Sequence, residues 1–347
     1  MDRGLASASY SETIGMILCG GLGKRLRPLT DSTPKPLIEI KNGYTILDKQ
    51  ILDMKYAGIN HVILLTGYLH EKIEERYGSY WNGIRIDYSI EEDPIGTWGA
   101  VSAALEKFRP RCKILVSNGD IVTDLNIRRM ISSSRYPVAM FIVTMKSPYG
   151  IVEISGDKII GFLEKPQLPY YINGGFYIVN DSFDILEFIG RPKSYSDLEK
   201  DVFPKLAKSG LLGYYMEPYD VFWKSIDTVK DLEEVRKEFA YREDKPWGYE
   251  KLIESSRSYI YKKILIKEGY RIPLHKHRAS ETIYVVSGKI RVDVDGREFQ
   301  LEQGEKYTIG VDSEHAVSAI ETAMIDSILS PSIGDIHWLD NRWIIEM

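Results

Sequence analysis

The chain has 347 residues, enough for two domains that each bury a core. Hydrophobic residues make up 44% and charged residues 27%, and the net charge of −5 gives no general attraction to nucleic acid. No apolar run is long enough to span a membrane, and residues 1–13 lack the apolar core of a signal peptide. The composition therefore predicts a cytoplasmic protein with a flexible tail at residues 1–13 and no nucleic-acid or membrane partner.

From residue 14 to about residue 240, strand-like and helix-like segments alternate. The predicted strands include residues 16–19, 61–66, 84–90, 113–117 and 138–145, and the predicted helices include residues 46–57 and 229–239. Strands that are apolar throughout and alternate with helices are typical of a mostly parallel, Rossmann-like α/β sheet covered on both faces. Residues 151–219 are richer in strands and are expected to form a lobe against the end of that sheet.

After residues 242–246 the pattern changes, and strands follow one another with little helix between them. Ile290, Val292 and Val294 alternate with charged residues, and Asp295-Gly296 then supplies a hairpin turn. The pattern predicts a small all-β barrel. We therefore expect a domain over residues 14–241 and a second over residues 245–347.

The loop after the first predicted strand is rich in glycine and positive charge. Its glycines, which let backbone N–H groups approach ligand oxygens closely, are Gly20, Gly21 and Gly23. Its two cations are Lys24 and Arg25. Lys35 lies between two prolines on a stiffened segment, where a fixed ammonium suits a developing charge. Neither the P-loop nor the dinucleotide fingerprint fits. The residues by themselves leave two interpretations open, a phosphate-binding loop and a solvated basic turn.

The order of the motifs resembles that of sugar-1-phosphate nucleotidyltransferases, which join a nucleoside triphosphate to a sugar 1-phosphate and release pyrophosphate. The resemblance covers residues 14–240. It rests on the glycine-rich loop through Lys35-Pro36 and on four further motifs, Asn118-Gly-Asp120, Phe162-Leu-Glu-Lys-Pro166, Asn173-Gly-Gly-Phe-Tyr177 and Trp223-Lys-Ser-Ile-Asp-Thr228. It implies a nucleotidyltransferase fold and these two substrates.

The resemblance also implies roles for single residues. Arg25 would hold the β- and γ-phosphates, and Lys35 would neutralise the α-phosphate. Asp120 and Asp227 would bind Mg²⁺, an ion that prefers one or two carboxylates together with phosphate oxygens. Asp227 is chosen as the second metal-binding aspartate because Trp-x-x-x-Asp-Thr resembles the sequence of cytidylyltransferases. An ungapped match to other relatives would place Ser225 at the position of that aspartate. The sugar phosphate would be held by Gly150, Glu164, Lys165 and Asn173.

The base is expected to bind near Glu91, Gly96 and Thr97, in a segment that resembles guanylyltransferases for mannose or heptose phosphates. An ionised carboxylate only accepts hydrogen bonds, and guanine offers it two adjacent donors. GTP is therefore favoured, and CTP is the alternative because the motifs at Asn173 and Asp227 are similar to those of cytidylyltransferases. Trp98 is expected either to stack on a ligand or to fill a gap.

The second predicted domain resembles metal-binding cupins. Gly269-x5-His275-Lys-His277-x3-Glu281-x6-Gly288 fits their first motif, and His315 stands where the second motif has its histidine. Three imidazoles and one carboxylate make a good site for Zn²⁺ or another divalent metal. A barrel that has lost its metal is the alternative.

Residues 245–249, 284–288 and 335–336 make this cupin similar to the type II phosphomannose isomerase module. That resemblance implies mannose 1-phosphate as the sugar substrate. The alternatives to a guanylyltransferase are a bifunctional enzyme with mannose-6-phosphate isomerase activity in the cupin and a non-catalytic subunit that senses nucleotide sugars. A homo-oligomer is expected, because cupins commonly associate and edge strands need covering.

Overall fold

The computed structural model describes residues 13–331 and 336–345. Residues 1–12 of the predicted tail and Asp335 lie outside the described residues, whereas Thr13 already belongs to the first strand. The chain forms two compact units. The first comprises residues 13–38, 46–125 and 130–227, and the second comprises residues 39–45, 126–129, 228–331 and 336–345. The predicted domain boundary at residues 241–245 stays a prediction.

In the described part of the chain, fourteen strands lie between residues 13 and 225, and seven α-helices lie among or after them. The strands are β1 (Thr13–Leu18), β2 (Glu39–Lys41), β3 (Tyr44–Thr45), β4 (His61–Thr66), β5 (Tyr80–Trp81), β6 (Ile84–Ile90), β7 (Lys113–Asn118), β8 (Ile121–Thr123), β9 (Val138–Lys146), β10 (Ile151–Ser155), β11 (Lys158–Leu163), β12 (Gln167–Val179), β13 (Leu212–Tyr215) and β14 (Trp223–Ser225). The helices are α1 (Ile46–Tyr56), α2 (His70–Tyr77), α3 (Gly96–Phe108), α4 (Ile127–Ser133), α5 (Ile185–Ile189), α6 (Phe203–Lys208) and α7 (Val229–Phe239). None of the helices in the described part of the chain combines the length and the apolarity that crossing a bilayer requires.

Eight strands of the first unit form one sheet in the order β13-β9-β12-β7-β1-β4-β6-β5. β7, β1, β4 and β6 run parallel to one another, and β13 runs parallel to β9. β12 and β5 are antiparallel to their neighbours. β4 is buried from its second residue to its last, as expected for a strand covered on both faces. The predicted parallel-rich α/β sheet is confirmed.

The predicted lobe is smaller than expected. β12 and β13 lie inside the central sheet, because the apolar end of β12 pairs with β7 on one side and β9 on the other. Only β10 and β11 stand apart as a separate hairpin. The expectation of a lobe over residues 151–219 was wrong for β12 and β13. Strands that lie close together in the sequence do not have to pair in the same sheet.

The second unit contains nine further strands in one antiparallel sheet. They are β15 (Arg242–Lys245), β16 (Gly248–Ser255), β17 (Ile260–Ile266), β18 (Arg271–Lys276), β19 (Ser280–Val294), β20 (Arg297–Glu302), β21 (Lys306–Ile309), β22 (His315–Ser330) and β23 (His337–Trp338). β22 pairs with β17, β18 and β19, and register shifts within β19 allow this long strand to curl. Asp295 and Gly296, both at positive φ, turn the chain between β19 and β20. The predicted all-β barrel is confirmed.

Candidate functional site

A cleft in the first unit lies where the strand order of its sheet reverses. The chain passes from β1 to β4 on one side and later returns to β7 on the other side of β1. Ligands of open α/β sheets bind at the carboxyl ends of strands at such a reversal. The residues that follow β1 and β7 line a cleft of about 450 Å³ here. This position brings the glycine-rich loop and Asp120 together.

Two of the three loop glycines lie where an added side chain would crowd a neighbouring side chain. Gly23 has a φ of 58°, and a Cβ there would lie 2.8 Å from the Thr30 side chain. A Cβ on Gly20 would lie 2.4 Å from Glu91 Oε1. Gly21 faces open space, and Lys24 lines the cleft with its side chain exposed. The loop therefore presents backbone and charge to the cleft, as a phosphate-binding loop requires.

Four charged side chains converge in this cleft although they are far apart in the sequence. Lys35 Nζ lies 2.6 Å from Asp120 Oδ2 and 3.1 Å from Asp227 Oδ1. Arg25 Nη2 lies 2.8 Å from the same Asp227 oxygen. The Lys35 side chain is 12% exposed, whereas that of Arg25 is 73% exposed. The predicted catalytic residues are thus brought into one cluster, in which Lys35 is mostly enclosed and Arg25 is exposed.

Strand pairing explains why Asp227 rather than Ser225 belongs to the cluster. β8 and β14 are antiparallel with Ser225 opposite Ile121, and the Ile226 N–H donates to the Asp120 carbonyl. This register sets Asp227 beside Asp120. The Ser225 hydroxyl instead donates to Asp227 Oδ2 at 3.2 Å, so it orients the carboxylate. Two carboxylates beside the glycine-rich loop could hold Mg²⁺, because this ion prefers one or two carboxylates together with phosphate oxygens.

Glu91 forms the wall of the cleft at the end of β6. Its carboxylate packs against Gly20 and Gly67 and accepts a long hydrogen bond from the Ile95 N–H at 3.5 Å. Burial raises the pKa of Glu91, and the Ile95 hydrogen bond offsets part of that rise. A partly buried carboxylate is destabilising unless its oxygens accept hydrogen bonds. Glu91 could therefore recognise a base that presents two adjacent donors.

The first residues of α3 pack against and hydrogen-bond to residues 196–199. Gly96 has a φ of 83°, and a Cβ there would lie 2.2 Å from the Ser196 carbonyl oxygen. The Thr97 hydroxyl donates to Glu199 Oε2 and accepts from the Leu198 N–H. Both predicted residues line the cleft, but the Thr97 hydroxyl already has two protein partners. These two hydrogen bonds position the start of α3, and a contact of Thr97 with the nucleotide stays a prediction.

The four residues predicted to hold the sugar phosphate are not gathered into this cleft. None of them is among the described residues that line it. Gly150 lies beside Glu164, whose carboxylate is 3.5 Å from Lys165, and both of these side chains are more than half exposed. Asn173 donates to the Tyr177 hydroxyl and accepts from the Gly175 N–H, so both ends of its amide are engaged within β12.

Two aromatic residues show where reasoning from the sequence was incomplete. Trp98 is 1% exposed in the core under α3, where its indole N–H donates to the Gly190 carbonyl. It therefore fills a gap rather than stacking on a ligand. Tyr195 was not predicted, yet it lines the cleft and is 61% exposed. No signal in the Ser-Tyr-Ser sequence around it marks such a position.

A second candidate site, a metal centre, lies inside the barrel of the second unit. The possible ligand atoms of His275, His277, Glu281 and His315 all lie within 4.8 Å of one another, and all four residues are buried. His275 and His315 stand opposite each other on β18 and β22. Each histidine directs Nδ1 to a backbone carbonyl, at Pro273, Ala279 and Ser313 respectively. On the other side of the rings, Nε2 of His277 and Nε2 of His315 lie 3.3 and 3.2 Å from Glu281 Oε2.

The electrostatics of this cluster suit a divalent cation. Burial and the neighbouring His315 lower the pKa of His275 to about 4, so its imidazole is neutral at pH 7. Burial acts to raise the pKa of Glu281, but hydrogen bonds from His277, His315 and Ser327 outweigh it and hold the pKa well below its usual range. Burial acts to lower the pKa of His277, but its hydrogen bond to Glu281 outweighs burial and raises the pKa. Three imidazoles and one carboxylate, each held by a hydrogen bond to a neighbouring carbonyl or hydroxyl, match the ligands and outer partners of protein metal sites.

Comparisons with known proteins agree with this geometry. The frog protein "Mannose-1-phosphate guanylyltransferase catalytic subunit beta" (Xenopus tropicalis) is 36% identical over 230 residues, which are 62% of this chain and 62% of that relative's length. "D-glycero-alpha-D-manno-heptose 1-phosphate guanylyltransferase" from Aneurinibacillus thermoaerophilus is 33% identical over 243 residues, which are 65% of this chain and 98% of the relative. The crystal structure of HddC from Yersinia pseudotuberculosis complexed with GMP-PN superposes with a TM-score of 0.51 at 27% identity, covering 65% of this chain and 99% of that one.

Family models match both parts of the chain. Residues 263–326 match the model described as "Cupin domain". Residues 14–241 match the model described as "Nucleotidyl transferase". The longer match, with the heptose relative aligned over nearly its whole length, confirms the recognition made from the motifs: the chain belongs to the nucleotidyl transferase family, and it also carries a cupin domain.

Proposed function

We propose that the chain is a sugar-1-phosphate guanylyltransferase, which joins GTP to a sugar 1-phosphate and releases pyrophosphate. The observation that carries the proposal is the convergence of Arg25, Lys35, Asp120 and Asp227 in one cleft. Cations of this kind suit a triphosphate, and paired carboxylates suit Mg²⁺. Intact charges on both sides of the cleft argue against a subunit that only senses nucleotides, because binding alone does not require all four.

The two cations have different tasks in this proposal. Arg25, exposed at the mouth of the cleft, would pair with the β- and γ-phosphates, which leave as pyrophosphate. Lys35, stiffened by its flanking prolines, would neutralise the α-phosphate while an oxygen of the sugar phosphate attacks it. That oxygen is already nucleophilic, so positioning and charge neutralisation carry the rate.

Asp120 and Asp227 would hold Mg²⁺, which when bound supplies further neutralisation of the phosphate charge. The same two carboxylates are paired with Lys35 and Arg25 in the structure. A bound triphosphate would attract both cations and leave the carboxylate oxygens to the metal. Ser225 would keep Asp227 oriented throughout.

Glu91 supports GTP rather than CTP. Its carboxylate would accept from both the ring N–H and the amino group of guanine, whereas cytosine offers one amino group. Leaving a buried acceptor unpaired costs about 1–3 kcal/mol, enough to decide between the two bases. The guanylyltransferase names of the frog and Aneurinibacillus relatives support the same choice.

The sugar is proposed to be mannose 1-phosphate or a related manno-configured sugar phosphate. The names of the two relatives cited above, one for mannose 1-phosphate and one for a manno-heptose 1-phosphate, support a manno-configured substrate. Contacts from Gly150, Glu164, Lys165 and Asn173 to the sugar phosphate stay predictions, as do the cytoplasmic location and the homo-oligomer.

The cupin is proposed to bind Zn²⁺ or another divalent metal through its three histidines and Glu281. Isomerisation of mannose 6-phosphate would need room for a hexose phosphate beside that metal. The described residues around the cluster leave a cavity of about 30 Å³, which has room for about two water molecules and is too small for a hexose phosphate. The proposal therefore assigns transferase activity to the chain and leaves the isomerase out.

A panel of GTP, CTP, UTP and dTTP against mannose, heptose and glucose 1-phosphates, scored by pyrophosphate release, tests the proposal. GTP with a manno-configured sugar phosphate should be turned over fastest. Asp120→Ala should abolish Mg²⁺-dependent release while GTP binding persists, and Asp220→Ala, which removes an exposed carboxylate of the same unit, should not. Undiminished turnover by Asp120→Ala would refute the assignment, and a wild type inactive with every pair would support the sensing subunit.

A further inference from the structure

A buried amide lies beneath the turn that carries Asp120. Gln50 is on α1 and is only 2% exposed, on the side of the helix that also buries Leu47, Ile51 and Met54. An apolar side chain would be expected at such a position, because a buried amide is destabilising unless it is hydrogen-bonded. The partners of the Gln50 amide therefore show what this residue does in the fold.

The side-chain amide of Gln50 is hydrogen-bonded through both of its ends. Its nitrogen Nε2 donates to the Asn118 carbonyl at 2.9 Å and to the Ile121 carbonyl at 2.8 Å. Its oxygen Oε1 accepts from the Ser117 hydroxyl at 3.1 Å, and Ser117 is buried as well. Because an amide nitrogen carries two N–H donors, Gln50 uses both of them on these two carbonyls.

The two carbonyls lie on either side of Asp120 in the sequence. Asn118 is the last residue of β7, and Ile121 is the first residue of β8. The turn between the strands consists of Gly119 and Asp120, so the Gln50 amide spans this turn from one end to the other. A change in the conformation of the turn would break at least one of its two hydrogen bonds.

Backbone groups hold the same turn at two further points. The Gly119 N–H donates to the Leu18 carbonyl, and the Ile226 N–H donates to the Asp120 carbonyl. These main-chain contacts persist whatever the side chains are. Gln50 adds a side-chain contact to them, which a substitution can remove.

The orientation of the Asp120 carboxylate depends on its backbone more than that of Asp227 does. Asp227 Oδ2 accepts from the Ser225 hydroxyl. Among the described residues, the hydrogen-bond partner of the Asp120 carboxylate is Lys35. In the proposed function, Lys35 turns to the α-phosphate when the nucleotide binds. The direction of the Asp120 carboxylate then rests on the conformation of its turn.

We propose that Gln50 is a positioning residue of the transferase, whose amide fixes the turn so that Asp120 and Asp227 can hold one metal ion together. Gln50 is not among the described residues that line the cleft, so it acts through Asp120 and touches neither substrate nor metal. Hydrogen bonds behind the ligands of a metal commonly set its affinity in this way. The inference rests on the proposed function, because it assumes the metal site at Asp120.

Calorimetric titration with Mn²⁺ tests the inference without turnover. The parent protein is the full chain with two substitutions. Lys35→Met frees the two carboxylates in the absence of GTP, which would itself bind Mn²⁺, and His277→Ala excludes the histidine cluster of the cupin. Gln50→Met has nearly the same length and volume but donates no hydrogen bond, and we expect it to weaken Mn²⁺ binding about tenfold.

Gln50→Asn is a second, milder variant. It keeps an amide beneath the turn but is one carbon shorter, so it cannot reach both carbonyls. It should also bind Mn²⁺ more weakly than the parent, and it decides the question if Gln50→Met does not fold.

Asn180→Leu is the matched control, because it removes the same kind of contact elsewhere in the first unit. Asn180 is 8% exposed, and its amide also donates to two carbonyls, those of Ser134 and Tyr136. It follows the end of β12 that pairs with the start of β7, whereas Asn118 ends β7, so it lies at the opposite edge of the sheet. Asn180→Leu should lower the melting temperature, as Gln50→Met does, and should leave Mn²⁺ affinity at the parent value.

Parent-like Mn²⁺ affinity in the folded Gln50 variants would overturn the inference, as would an equal loss of affinity in Asn180→Leu. A parent that binds no Mn²⁺, or that still binds it after Asp120→Ala is added, would overturn it too. Pyrophosphate release by the wild type reports separately on the proposed transferase. A failure of the positioning role is therefore distinguishable from a failure of the proposed function.

Discussion

Lys35 and a divalent cation require the same carboxylate oxygens in the transferase cleft. The ammonium lies 2.6 Å from Asp120 Oδ2 and 3.1 Å from Asp227 Oδ1. A metal ion that arrives before the nucleotide therefore has to displace it. Lys35→Met removes this competitor and preserves most of the length and volume of the side chain. We expect the variant to bind metal more tightly than the wild type in the absence of nucleotide.

The size of the effect follows from the two contacts. A hydrogen bond between charged groups contributes about 1.5–3 kcal/mol, and the partial exposure of Asp120 and Asp227 brings each contact towards the lower value. A loss of one to two such contacts corresponds to about 10- to 100-fold tighter Mn²⁺ binding in Lys35→Met. Turnover should nevertheless fall about 10²- to 10³-fold, because the charge developing on the α-phosphate loses its partner.

Calorimetric titration of nucleotide-free protein with Mn²⁺ measures the effect. All proteins in the comparison carry His277→Ala, so that the histidine cluster of the cupin does not contribute a second metal site. Lys24→Met is the control, because Lys24 is an exposed lysine of the same loop and its substitution should leave Mn²⁺ affinity unchanged. Unchanged or weaker Mn²⁺ binding by Lys35→Met would refute the idea that the ammonium and the metal compete.

Three further predictions concern stability. Glu91→Gln should raise the melting temperature at pH 7, because burial raises the pKa of Glu91 and its contribution to stability is lost as the pH rises through that pKa. The gain should vanish in melting curves recorded below the unfolded pKa of about 4.3, and persistence of the gain there would contradict the reasoning. Trp98→Ala should lower the free energy of unfolding in urea by about 3–5 kcal/mol, whereas the exposed Tyr80→Ala should change it by less than about 0.5 kcal/mol. In an Asp120→Ala background, which removes the metal site proposed for the transferase cleft, Co²⁺ at about 100 times its dissociation constant should stabilise the protein by about 2.7 kcal/mol, reversibly with a chelator. Adding His277→Ala should abolish that gain, and an equal gain in both proteins would contradict the proposed cupin site.

The sequence by itself determined the elements whose signals are local. The strands predicted at residues 61–66 and 84–90 and the helix predicted at residues 229–239 have the bounds expected. Each is specified by the spacing of its own apolar residues, which requires no knowledge of neighbouring elements. The family was recognisable for a related reason, since the glycine-rich loop and the histidine motif of the cupin are short segments with fixed internal spacing.

Only the tertiary structure decided which distant residues meet. The motifs favoured Asp227 over Ser225 as the partner of Asp120, and the register between β8 and β14 brings Asp227 beside Asp120. Trp98 had two interpretations until its helix packed against the sheet and buried it. Pairing between strands and packing of helices are long-range choices, so they are fixed by the fold as a whole.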